Sequence, residues 1–107
     1  MTLKFDFKTL EQPFEADWPV TVSVPQNGGG VQEQTFEVRF RTLTAEETAD
    51  VDNSADPAAA KLRLALVDVK DETFTPALVE QMLGRGYVQM GLLRAHAKFI
   101  LGTPVKN

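Results

Sequence analysis

The chain contains no cysteine, and this one absence removes a disulfide framework, a thiolate zinc site and a dithiol redox centre together. A reducing compartment is the simplest home for such a sequence. Histidine is almost as scarce, since His96 is the only one in 107 residues. Sites that need two imidazoles, such as HExxH zinc centres and the two-His-one-carboxylate iron arrangement, are therefore out of reach. No apolar run approaches the roughly 18 residues of a membrane span. The first residues alternate charge with aromatics and do not build the apolar core of an export signal.

Basic charge is lacking only regionally. Residues 1–56 hold four Lys/Arg against eleven Asp/Glu, whereas residues 57–107 hold seven against four. Phosphate recognition wants a concentrated basic face, so this distribution argues against nucleic acid as the partner. It suits ordinary solvated faces, self-association into a homo-oligomer, or a protein partner of mixed charge. A chain of this length makes one domain that buries roughly two-thirds of its unfolded surface.

What is present divides into two grammars. Residues 1–42 alternate apolar and polar side chains with period two in three places, which predicts strands. Leu3, Phe5 and Phe7 alternate with Lys4, Asp6 and Lys8; Trp18, Val20, Val22 and Val24 alternate with Pro19, Thr21 and Ser23; Phe36, Val38 and Phe40 alternate with Glu37, Arg39 and Arg41. Each run offers one dry face and one wet face, as in an antiparallel sheet covered on one side. Gln26-Asn27-Gly28-Gly29-Gly30 predicts the loop of a hairpin, because it lacks the lysine and hydroxyl of a phosphate-binding loop and opens no GxGxxG helix.

From Thr44 the grammar becomes helical. Thr44-Ala45-Glu46-Glu47 has capping-box spacing and predicts a helix from about residue 45. Asp56-Pro57 and Thr75-Pro76 each pair an N-cap residue with a proline suited to the first helical position. The first of these helices should run to about Leu66, although Leu62, Leu64 and Leu66 also alternate like a strand. Asp68 to Phe74 reads as a polar link. Leu78, Val79, Met82 and Leu83 give the next helix its apolar stripe, and Gly84-Arg85-Gly86 ends it with a glycine available for a left-handed cap. The last helix runs from about Tyr87 to Leu101, where Gly102-Thr103-Pro104 stops it, leaving 102–107 as a tail. The expected class is α+β: a small antiparallel sheet from the first 42 residues, then three to four helices packed on one face, all in a single domain over 1–107.

Few constellations favour catalysis. Asp50-x-Asp52-x-Ser54 begins like a calcium loop but has Ala55 where glycine belongs and Lys61 where the bidentate glutamate belongs. The cluster Glu46, Glu47, Asp50, Asp52 and Asp56 therefore reads as a solvated, partly disordered connection. His96 has no local carboxylate to orient it and reads as a partly exposed helix residue. Asp68, Asp71 and Glu72 read as a hydrophilic loop. No catalytic, cofactor or metal residues emerge, and the chain reads as a non-enzyme. Apolar residues on the last two helices exceed what one face of a small sheet must cover; ordinary core accounts for them, and so does a partner surface. Met82, Tyr87, Met90, Leu93, Phe99 and Ile100 are the candidate protein-binding residues.

Trp18-Pro19-Val20-x-Val22-x-Val24-Pro25, the glycine-rich turn, Phe36-Glu37-Val38-Arg39-Phe40-Arg41, Leu43-Thr44-x-Glu46-Glu47, Phe74-Thr75-Pro76-x-Leu78 and the closing Lys106-Asn107 resemble the tail assembly chaperones of long-tailed phages and prophages. The chain departs from that pattern at Leu66-Val67-Asp68-Val69-Lys70, where such proteins often carry a Gly-Trp pair and a longer loop. The resemblance implies several copies coating an apolar tape-measure protein in the cytoplasm of a bacterial host, until tail-tube subunits polymerise around it. It also implies a longer frameshifted product. Two other readings are a structural tail component (tube, terminator or connector) and a bacterial protein-binding adaptor. The surface serving this role would lie on residues 82–101.

Overall fold

Val20, Val22 and Val24 alternate with Thr21 and Ser23, and the backbone follows them. The computed structural model describes residues 2–102, and places β1 at Glu15–Pro25 antiparallel to β2 at Val31–Arg41, in register from Glu15↔Arg41 to Pro25↔Val31. The turn between them is the expected glycine loop: Gly28, Gly29 and Gly30 have φ of 89°, 110° and 75°, and the Gln26 N–H donates to the Gly30 carbonyl at 3.1 Å. The sheet presents Val20, Val22, Val38 and Phe40 to the core. Its other face is polar, and there Arg39 bridges Glu15 and Asp17 of β1, each at 3.0 Å.

The sheet has a third strand, in a stretch where the sequence predicts partly a helix and partly a polar link. β3, Leu66–Val69, runs antiparallel to β2 and gives the order β1-β2-β3. Val38 faces Val69 and Phe40 faces Leu66, so one extra residue on β3 is absorbed as an irregularity beside Arg39 and Phe40. β3 forms because Leu66 and Val69 bury against the core, and because β2 would otherwise present an unpaired edge. On the opposite side, β1 is a blunted edge. Glu37 turns its carbonyl to the Lys70 N–H of the β3 side, so its partner across the register, Pro19, points its ring nitrogen outward, where a donor would otherwise be exposed.

The first alternating run departs from expectation. Residues 2–6 form no ladder and Phe7–Glu11 is a single 3-10 turn. Asp6 supplies the reason locally: its carboxylate accepts from the Lys8 N–H, and its carbonyl accepts from the N–H and hydroxyl of Thr9. Such short-range bonds compete with a ladder.

Four helices follow: α1 (Ala45–Asp52), α2 (Pro57–Ala65), α3 (Pro76–Leu83) and α4 (Gly86–Leu101). The expected caps are in place. Thr44 Oγ1 accepts from the Glu47 N–H at 3.1 Å while the Glu47 carboxylate accepts from the Thr44 N–H at 3.0 Å, completing a capping box. Glu47 also takes a bidentate contact from Arg41 at 2.9 and 2.7 Å, which ties the end of β2 to the first turn of α1. Asp56 and Thr75 cap α2 and α3, and Arg63 and Glu80 join those two helices at 2.8 and 2.9 Å. The acidic stretch around residue 50 is thus ordered helix and cap, held at its two ends by Glu47 and Asp56, which accept from backbone N–H groups. Neither glycine of Gly84-Arg85-Gly86 is the left-handed cap expected there: Gly84 has φ −74° and Gly86 already opens α4, since only Gly84 and Arg85 separate the two helices. The left-handed cap is Gly102, at φ 70°; Thr103, Pro104, Lys106 and Asn107 lie outside the described residues.

The helices bury Ala59, Leu62 and Ala65 of α2, Val79 and Leu83 of α3, and Leu92, Ala95 and Phe99 of α4 against the sheet as one cluster, which is the α+β arrangement. α4 lies directly over β1. A Cβ added at Gly91 would stand 2.7 Å from the Thr21 carbonyl oxygen and 3.0 Å from Val22 Cγ2, so glycine sets how closely helix and strand approach.

Candidate functional site

α4 is a helix with two apolar sides. Leu92, Ala95, His96 and Phe99 turn inward. Tyr87, Met90, Arg94, Ala97 and Leu101, spaced three and four apart, share the outward stripe, and Ile100 flanks it. Met90 and Ile100 are 55% and 56% exposed and Tyr87 is 37% exposed. The helix contains no carboxylate; Arg94 and Lys98 are its only formal charges. What it offers is therefore an apolar strip interrupted by Arg94, suited to packing against an amphipathic partner.

Of the six residues nominated for binding, the structure groups Tyr87 and Met90 on this stripe, with Ile100 at its flank. Leu93 and Met82 are half-buried and pack against the core, Met82 from α3. Phe99 belongs to the core. It is 5% exposed, stacks on Phe14 at 5.8 Å, meets Trp18 edge-on at 5.5 Å and lies 5.5 Å from Phe40. The four-three spacing from Leu92 through Ala95 or His96 to Phe99 carries it inward.

His96 departs from expectation more sharply. It is buried, its ring set edge-on to Phe40 at 5.3 Å, and its Nε2 has no hydrogen-bond partner. Burial pushes its pKa down to about 4, and the nearby Lys61 cation acts in the same direction. At neutral pH the imidazole is an uncharged core group. The signal is present in the sequence, because Leu92, His96 and Phe99 fall on one helical stripe. Two carboxylates are held low by cations. Glu47 sits at about 2 through its bonds to Arg41 and the Thr44 backbone, and Glu80 is lowered by Arg63. Among the described residues, no three acidic or histidine side chains gather as a metal-ligand set, and no helix is long and apolar enough to cross a membrane.

A second apolar surface lies where alternation predicts a strand, and that prediction disguises it. Leu3, Phe5, Phe7, Leu10 and Phe14 are each between 57% and 80% exposed. Phe14 is pinned where this segment meets the sheet: its N–H donates to Thr42 Oγ1 and its carbonyl accepts from the Thr42 N–H, both at 2.9 Å. Beside that pin lies an open groove of about 700 Å³ lined by residues 9–14 and 42–44. A smaller one of about 220 Å³ shares Thr42 and Leu43 and continues to Thr48, Asp52, Lys61, His96 and Ile100. The chain matches no protein-family model, no curated protein sequence and no solved structure.

Proposed function

We propose that this chain is a non-catalytic protein-binding module that acts as a tail assembly chaperone, holding an apolar tape-measure protein through the outer stripe of α4. One observation supports the binding role above others: a helix that already covers the sheet keeps Tyr87, Met90 and Leu101 facing outward, with Ile100 at the margin. An exposed apolar strip of this kind is retained where a partner covers it. A thioether such as Met90 adapts to varied helical surfaces without close complementarity, which suits a long client. The buried, neutral His96 and the cation-paired Glu47 and Glu80 are consistent with a role that moves no protons. The chaperone assignment itself rests on the resemblance in β1, β2 and the capped helix starts, and carries with it a bacterial-host cytoplasm and no cofactor.

Co-expression with a tape-measure fragment tests the reading. The wild-type chain should keep the fragment soluble and co-purify with it, and a Met90→Asp/Ile100→Asp variant should fold normally yet lose the fragment to the pellet. A fragment that stays equally soluble with the variant removes α4 as the binding face. Detection of the chain in purified virions by mass spectrometry would make it a tail component instead.

A further inference from the structure

The segment ahead of β1 is built like a ligand, and the molecule carries a groove that fits it but does not hold it. Leu3, Phe5 and Phe7 line neither of the two grooves beside Thr42 and Leu43, and the 3-10 turn at Phe7–Glu11 buries nothing. Two cations, Lys4 and Lys8, alternate with those apolar groups and form no ion pair with any described residue. The smaller groove is lined by Thr48, Val51 and Asp52 of α1 and by Lys61 of α2; α1 itself contains Glu46, Glu47, Asp50 and Asp52 and no basic residue. Only Glu47 of these four is paired, leaving Glu46, Asp50 and Asp52 without a cation among the described residues; Asp52 lines the smaller groove itself. A segment that alternates apolar side chains with Lys4, Asp6 and Lys8 and an apolar groove with acidic α1 on one side and Lys61 on the other are complementary in charge.

We propose that residues 3–8 of one copy occupy the Leu43–Ile100 groove of a second copy, and that the exchange is reciprocal in a two-fold dimer. Reciprocity follows from position. The larger groove, which shares Thr42 and Leu43 with this one, has Leu10 and Phe14, the base of the molecule's own segment, in its wall, so an incoming segment brings its own base and groove alongside. Area supports the same occupant. Phe5 and Phe7 at about 150–250 Å² each, with Leu3 and the groove that the same copy offers in return, approach the roughly 800 Å² that each partner of a stable interface contributes. This inference does not depend on the client of α4: Tyr87, Met90 and Leu101 line neither groove, and only Ile100 is shared between the two surfaces.

Light scattering on the full chain, with increasing concentration, should show a species of twice the chain mass. Phe5→Ser and Phe7→Ser, both at exposed positions, should each weaken dimerisation by at least about tenfold, and together leave only monomer with an unchanged circular dichroism spectrum. Since the natural chain lacks cysteine, a mixture of Phe7→Cys and Thr48→Cys proteins can form a heterodisulfide only between copies. It should cross-link efficiently on oxidation, whereas Phe7→Cys mixed with Asn27→Cys at the hairpin tip should not. A wild-type chain that stays monomeric overturns the proposal, whether the segment then binds its own groove or another protein. So does an assembly whose mass survives the double serine substitution, or equal cross-linking to Thr48→Cys and Asn27→Cys.

Discussion

Leu3-Lys4-Phe5-Asp6-Phe7-Lys8 and Val20-Thr21-Val22-Ser23-Val24 share one period-two pattern, and the structure treats them differently. Val20 and Val22 are buried in β1; Leu3, Phe5 and Phe7 are exposed and make no ladder. The difference lies in what surrounds each run. β1 has β2 across a short glycine turn, which makes pairing local, and it has α4 above it. Residues 2–8 pair with no strand and no helix covers them, and the Asp6 carboxylate takes the Lys8 N–H. Alternation defines a two-faced segment; burial of its dry face needs both a neighbouring backbone and a covering element.

The sharpest way to break this contrast is to place the same charge in both runs. Val22→Asp sets a carboxylate beneath α4 with no partner and should destabilise the fold by on the order of 3–5 kcal/mol. Phe7→Asp, at chain concentrations low enough for monomers, should leave the thermal midpoint within a degree or so. Comparable losses in calorimetry would mean that residues 2–8 are packed after all.

Acidification probes the cover itself, since His96 of α4 packs on Phe40 beside β1. Its pKa lies near 4 in the fold against an ordinary 6.5, so its contribution is complete above pH 6.5 and is lost progressively as pH falls toward 4. At about 1.4 kcal/mol for each tenfold change in proton affinity, the loss reaches at most about 3 kcal/mol. Urea titrations across that window should show the slope, and His96→Leu should flatten it. The capping box responds in a lower range: Glu47, ordinarily near 4.5 and here at about 2, stabilises the fold above 4.5 and loses that contribution as pH falls toward 2.

The smallest effect expected comes from Gly91→Ala. Alanine gains about 1 kcal/mol of helix propensity over glycine, but its methyl meets the Thr21 carbonyl at 2.7 Å. Overpacking of about 1–3 kcal/mol should outweigh that gain and lower the midpoint modestly. A raised midpoint would show that α4 can shift away from β1 without loss.

Features set by neighbouring residues are legible in the sequence. The β1–β2 hairpin, the Thr44 capping box and the Asp56-Pro57 and Thr75-Pro76 starts all depend on contacts within a few positions, and each is present. β3 is not legible, because four residues carry too little alternation and their partner strand lies far back in the chain. Residues 62–66 read both ways and the structure uses both, with helix to Ala65 and strand from Leu66. At the candidate site, the amphipathic stripe reveals that α4 is apolar all round, but not which side meets the sheet. Phe99 therefore reads as a surface candidate although it lies in the core. His96 and Gly91 are recoverable: one shares the Leu92–Phe99 stripe, and the other is a mid-helix glycine with no cap to make, a common mark of close backbone approach.

Pro19 has a consequence for aggregation. A chain with an exposed, alternating aromatic segment and an open sheet edge holds both halves of a self-templating cross-β fibre, in which each copy adds its segment to the edge of the one before. With no donor at position 19, and Pro25 closing the same strand, that growth lacks the hydrogen bonds to propagate. Replacing both prolines would restore two backbone donors to that edge and should raise the tendency of the chain to add strands to it.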